Sequence, residues 1–153
     1  PLTSHATRAR SQPGRRRPAA LPTRTLRAAR LDVALGDARR EAEHVSVMLL
    51  DLDGSKALND IHGHAIGDEV WCETARRTLA AIRACDTACR FGGDEFVIVL
   101  SNIDRREDAQ AVAEKIRSEI ARPLFLAERT LGVTATVGMS IFPTDGRTAA
   151  ELL

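Results

Sequence analysis

Gly92-Gly93-Asp94-Glu95 sets two adjacent glycines before two adjacent acids. Adjacent glycines accept positive φ and let another molecule approach the backbone closely. Cys89 and Phe91 precede the four and the apolar run Phe96 to Leu100 follows, a pattern of strand, tight turn and strand. Two neighbouring carboxylates at a hairpin tip repel each other. A divalent cation removes that cost, and hard cations such as Mg²⁺ take oxygen ligands. Gly and Asp are also ordinary turn residues, so a plain solvated turn explains these four equally well when they are taken alone. A second acidic segment strengthens the case: Asp51-Leu52-Asp53-Gly54 closes the apolar run Val45 to Leu50. Acids at the exit of a buried strand lie at a sheet rim, where sites form. Two carboxylates from separate strands meeting there would suit phosphoryl transfer, which bridges cations about 4 Å apart, binds a triphosphate and polarises an attacking hydroxyl.

The elements that must carry these segments can be read in order. Leu26, Ala29, Leu31, Val33, Ala34 and Leu35 give a helix its apolar face, closed by Arg39-Arg40-Glu41. Val45 to Asp51 is short and almost continuously apolar, as in a strand buried on both faces. Lys56 to Ile61 suits a short helix broken at Gly63. Asp68 precedes a longer helical spacing through Val70, Trp71, Ala75, Leu79 and Ile82. Thr87 to Phe91 and Phe96 to Leu100 are strands. Asp104 is positioned to cap a helix running to Ile120, with Ala109, Val112, Ala113, Ile116 and Ile120 on one face, and Pro123 ends it. Leu124 to Leu126 and Leu131 to Ile141 read as a hairpin, Pro143 to Gly146 as a turn, and Thr148 to Leu153 as a short helix. The predicted class is α+β, with a ferredoxin-like β-α-β-β-α-β core and an antiparallel central sheet. In that arrangement the first strand neighbours the central hairpin, which brings Asp51 toward Asp94.

The 153 residues suffice for one domain with one core, and the 44% hydrophobic content suits a globular chain. A formal net charge of +1 argues against bulk nucleic-acid binding. No apolar run approaches the roughly 20 residues that span a bilayer, and no signal-peptide core is visible near the start. Residues 1–20, rich in Arg, Pro, Ser and Ala, read as a disordered basic linker, and residues 21–153 as the folded domain. Starting at Pro1 rather than Met, the chain reads as a fragment of a larger protein. Cys72, Cys85 and Cys89 read as thiols of a reducing compartment; Cys85 and Cys89 lack the second pair that a zinc site needs.

Together these residues resemble the GGDEF family, the diguanylate cyclases. Gly92 to Phe96 spell the family's naming motif, and Leu50-Asp51-Leu52-Asp53-Gly54, Lys56, Asn59-Asp60, Gly63-His64, Gly67-Asp68 and Phe142-Pro143-Thr144-Asp145-Gly146 follow its order and spacing. The resemblance implies the palm-like fold of nucleotide cyclases and polymerases. It further implies a bacterial cytoplasmic enzyme, free or as the cytoplasmic part of a larger sensor, that condenses two GTP into cyclic di-GMP and two pyrophosphates across a homodimer. By the same resemblance Asp51, Asp94 and the Leu52 carbonyl hold Mg²⁺ or Mn²⁺. Gly92 and Gly93 let the triphosphate lie on the turn, Lys56 serves the phosphates, and Asn59 and Asp68 bind guanine. Glu95 assists the metals or the 3′-hydroxyl. A carboxylate can accept from guanine N1–H and the 2-amino group, a donor pair that adenine lacks.

Arg83-Ala84-Cys85-Asp86, five residues before Gly92, matches the family's RxxD inhibitory site in type and distance. An arginine fork can bind phosphate and stack on guanine while the acid takes the guanine edge. The alternative at this point is a local ion pair at a helix end. Asp53 is expected to cap the helix that follows it. His62 and His64 have the spacing of a metal pair, but His64 falls on the family's Gly-His position, which favours a structural hydrogen bond. The family usually has Phe where Ser55 stands, and of its N-terminal motif Leu21-Pro22 and Arg24 survive. Its last helix, with a Lys and an Arg near the triphosphate, would lie past Leu153. The second functional reading is a degenerate module that binds GTP or cyclic di-GMP without turnover and regulates an attached domain.

Overall fold

The computed structural model describes residues 24–91, 95–126 and 128–153, with side chains from residue 30 onward. The linker expected over residues 1–20, the three residues Gly92, Gly93 and Asp94, and the surviving Leu21-Pro22 lie outside the described residues.

Four strands form the main sheet: β1 (His44–Leu52), β2 (Thr87–Arg90), β3 (Glu95–Ile103) and β6 (Ala135–Phe142). Their order is β2-β3-β1-β6 and every adjacent pair is antiparallel. That is the predicted ferredoxin-like topology, with β1 beside the central hairpin. β1 reads as a continuous apolar run because helices pack on both sides of it. Met48, Leu50 and Leu52 face one core with Phe96, Ile98 and Leu100. Val45 and Val47 face a second core with Val97 and Val99.

The first face is covered by α2 (Ser55–His62), α3 (His64–Ala81) and α4 (Arg106–Ala121). Val70 and Trp71 of α3 and Ala109, Ile116 and Ile120 of α4 are buried against the sheet. Trp71 stacks at 5.1 Å on Phe96, the residue after Glu95, so a core aromatic pair anchors the strand that follows the acidic turn. The second face is covered by α1 (Arg24–Glu41) and the short α5 (Ala149–Leu152). Leu31, Leu35, Ala38 and Leu152 supply its core.

Four details differ from the sequence reading. The face of α1 is narrower than expected: Leu31, Leu35 and Ala38 are buried while Val33 is 62% exposed, because only residues at the i, i+4, i+7 spacing meet the sheet. Helix α3 starts at His64 rather than after Asp68. Gly63, at φ 82°, makes the whole break in one residue, and Gly67 lies inside the helix. The cap of α4 is Arg105 rather than Asp104, with Asp108 reaching back to the Arg105 N–H at 3.2 Å. The single late hairpin is two structures. β4 (Leu124–Leu126) and β5 (Arg129–Leu131) form their own ribbon, and β6 joins the main sheet beside β1.

Among the described residues, no helix is long and apolar enough to cross a membrane.

Candidate functional site

β1 and β3 deliver the acids. Asp51 and Glu95 are direct register partners, the last pair of the described β1–β3 ladder. In an antiparallel pair, directly opposed residues project from the same face with Cβ atoms about 5 Å apart. By strand alternation Asp51 shares its face with Val45 and Val47, yet it is exposed where they are buried, because it lies past the helical cover. Two like charges opposed at a rim repel unless a cation lies between them. The donor set, two carboxylates and a backbone carbonyl, therefore suits a hard divalent ion. Asp94 adjoins Glu95 in the chain and lies outside the described residues. Among those described, no three His, Cys, Asp or Glu side chains cluster to hold a metal.

Lys56 is exposed in the first turn of α2, next to the Gly54 bend at φ 69°. Asn59, one turn further on, packs against α3 where that helix has Gly67. A Cβ at Gly67 would fall on Asn59 Oδ1 and stand 3.0 Å from its Cγ. Asn59 Oδ1 is buried and has no hydrogen-bond partner among the described residues. Asp68, exposed, is the next residue of α3. The fold thus sets the predicted guanine pair side by side, the amide of one helix lying on the backbone of the other. The interlock needs glycine at 67.

Asp53 does not cap α2. The helix begins at Gly54 with no side-chain cap, and the Asp53 carboxylate turns to the opposite neighbour. Thr134 Oγ1 donates to Asp53 Oδ2 at 2.6 Å, and Thr136 Oγ1 to Oδ1 at 2.8 Å. These two hydroxyls, Thr134 first, hold the Asp53 carboxyl below its usual range. The Thr–Val alternation of 133–137 was visible in the sequence. Nothing local signalled that its hydroxyls would meet an acid 81 and 83 residues away.

Arg83 and Asp86 form the local ion pair that was the alternative reading. Asp86 Oδ2 accepts from Arg83 N at 2.9 Å and from Arg83 Nε at 3.3 Å, and Oδ1 accepts from Ser101 N at 3.3 Å. The Asp86 side chain is 1% exposed against 54% for Arg83. The acid is engaged inside the fold, tying the β2 approach to β3. The Arg83 side chain is half exposed, and its Nη2 donates to the Ser101 carbonyl at 3.1 Å. The paired-histidine reading also yields: His62 Nδ1 lies 3.4 Å from an Arg129 nitrogen, linking α2 to the β5 ribbon. Cys89 is buried as a small hydrophobe, whereas Cys85 is exposed.

Comparison with known proteins places these residues in context. The family model described as "Diguanylate cyclase, GGDEF domain" matches residues 19–153. The bifunctional diguanylate cyclase/cyclic di-GMP phosphodiesterase MucR of Pseudomonas aeruginosa is 41% identical over 135 residues, covering 87% of this chain and 19% of that protein. The chain thus spans about a fifth of that relative's length. The crystal structure of the GGDEF domain of TpbB from Pseudomonas aeruginosa superposes with a TM-score of 0.84 at 34% identity, covering 86% of this chain and 82% of that one. The GGDEF domain of DgcB from Caulobacter crescentus, solved in complex with c-di-GMP, gives 0.73 at 25% identity over 82% of this chain and 79% of that one.

Proposed function

Because the chain belongs to the GGDEF family, the diguanylate cyclases, we propose that it condenses two GTP into cyclic di-3′,5′-GMP with release of two pyrophosphates. The observation that carries this reading is the register of β1 against β3, which opposes Asp51 and Glu95 at one rim. GGDEF cyclases in general use divalent metal ions, and Asp51, Asp94 and the Leu52 carbonyl would hold Mg²⁺ or Mn²⁺ here. Bound ions supply charge neutralisation for the triphosphate and acidify the attacking hydroxyl.

The chain's own groups bind and orient. Asp68 accepts from guanine N1–H and the 2-amino group, and the Asn59 amide, wedged against Gly67, reads the same base. Lys56 serves as a point charge for the phosphates. Gly92 and Gly93 present no side chain, so the triphosphate lies against their backbone. Glu95 completes the acid pair beside the attacking 3′-hydroxyl. Each domain holds one GTP, so turnover requires a second copy facing the first.

Product control is assigned to Arg83, whose half-exposed side chain carries a fork that can take a phosphate or stack on guanine. Asp86, buried beneath it, orients that fork; rearrangement of the pair would be needed before the acid could touch ligand. The DgcB complex supports a product site in the family.

Incubation of the protein with labelled GTP and Mg²⁺, followed by separation of nucleotides, tests the reading. Cyclic di-GMP and pyrophosphate should appear, and Asp94→Asn should abolish them. Nucleotide binding without product would transfer the assignment to the binding module, and unchanged turnover in Asp94→Asn would refute the metal role.

A further inference from the structure

We propose that Asp53, Thr134 and Thr136 form a clip that positions the metal-holding end of β1, with Asp53 acting as a positioning residue and not as a ligand. The inference rests on the reading of Asp51 and the Leu52 carbonyl as metal ligands.

The argument starts from how β1 ends. On the β3 side the described ladder stops at the pair Asp51–Glu95. On the β6 side pairing continues through Asp51–Thr136 and Leu52–Ala135, and Asp53 N donates to the Thr134 carbonyl at 3.0 Å. Among the described residues, Asp51 is thus paired on both flanks, and the partners of Leu52 and Asp53 lie on β6. The chain then enters a left-handed Gly54, a residue that imposes no direction of its own.

The side-chain clip supplies that direction. Both Asp53 carboxylate oxygens are engaged, one by each threonine hydroxyl, at 2.6 and 2.8 Å. Hydroxyl bonds to a carboxylate are short and about twice as strong as neutral ones. Thr136 is itself the register partner of Asp51, so its backbone sits beside the metal-site acid while its hydroxyl reaches two residues further along β1. Arg117 Nε donates to the Ala135 carbonyl at 3.2 Å and fixes β6 between the two threonines from α4. Each Asp53 oxygen already accepts a hydroxyl, using two of the roughly four acceptor sites of a carboxylate, so its orientation is set by β6, which distinguishes it from Asp51 although both are exposed acids.

The threonine variants change neither Asp53 nor any charge. Thr134→Val with Thr136→Val removes both donors at exposed positions and keeps the β-branched shape that a strand favours. Thr134→Ser with Thr136→Ser keeps the hydroxyls. Mn²⁺ affinity of the nucleotide-free protein, read from the free-ion electron paramagnetic resonance signal, is compared across these variants and Asp51→Asn, with a thermal melt alongside. The expected result is a Mn²⁺ affinity at least fivefold weaker in the double valine variant, near wild type in the double serine variant, and lost in Asp51→Asn. A purely structural clip would lower the melting temperature of the valine variant and leave Mn²⁺ affinity unchanged; that outcome, with Asp51→Asn still losing the ion, overturns the positioning role while the metal reading stands. Should Asp51→Asn bind Mn²⁺ as wild type does, the metal reading fails and the clip's role falls with it. If Asp53→Asn loses Mn²⁺ as completely as Asp51→Asn while the double valine variant binds normally, Asp53 is a ligand and the proposal is wrong.

Discussion

Gly67→Ala is a substitution that should leave stability nearly unchanged while weakening nucleotide binding. Gly67 lies inside α3, where alanine is favoured over glycine by about 1 kcal/mol on backbone entropy alone. The added Cβ would fall on Asn59 Oδ1 and stand 3.0 Å from Cγ and 3.6 Å from Nδ2. The oxygen is the end of a flexible side chain, so the amide turns away from α3 instead of prising the helices apart, at a rotamer cost of roughly 0.5–1.5 kcal/mol. Those two effects nearly cancel, and the melting temperature should stay within a few degrees of wild type. Binding has no such compensation. If Asn59 reads guanine, turning it away leaves a base hydrogen bond unmade, about 1–2 kcal/mol, or roughly a five- to thirtyfold rise in KM for GTP. Steady-state kinetics with GTP and thermal melts without ligand measure the two effects separately. Asn59→Ala should raise KM to a similar degree, and the double variant should be no worse than either single one, because both remove the same contact. A KM for Gly67→Ala within twofold of wild type, in a protein that melts normally, would refute the assignment of Asn59 to the base.

Three further outcomes follow from other parts of the structure. Arg77 donates to the Glu119, Ile120 and Pro123 carbonyls at 2.9–3.1 Å and pairs with Glu73, closing the open end of α4; Arg77→Ala should cost about 2–4 kcal/mol and lower the melting temperature by roughly 10 °C, since several carbonyls at the helix end lose a shared charged donor whose own side chain is largely buried. The bonds from Arg76 and then Arg77 hold the Glu73 carboxyl down at about 2 against its usual 4.5. A folded-state value below the unfolded one contributes stability above pH 4.5 that is lost as pH falls toward 2, so melts over that window should decline less steeply in Glu73→Gln than in wild type. Arg83→Ala should relieve inhibition of turnover by added cyclic di-GMP while leaving KM for GTP within about twofold; inhibition persisting at wild-type strength would remove the product site from this position.

Much of the architecture could be read from patterns of neighbouring residues. The apolar run into Asp51, the strand after the glycine turn and the helical periods around Trp71 and Ile116 each record how a segment is buried. Burial period is a local property, which is why the β-α-β-β-α-β order was legible. The acid closing β1 was legible for the same reason: a residue type at the end of a strand is a statement about that strand.

Which side chains meet was decided only when the segments packed. Asp53 faces a helix start in the chain, yet it bonds threonines more than 80 residues away because β6 lies alongside β1. Asp86 stands beside Arg83 in the chain, and only the packing of β3 brings the Ser101 amide to one of its oxygens. Gly67 stands before the helical spacing legible in the sequence, yet it is a helix residue kept small for Asn59. A chain's local pattern specifies which face of each element is buried; the identity of the partner across that face depends on register and close packing, which no single segment contains.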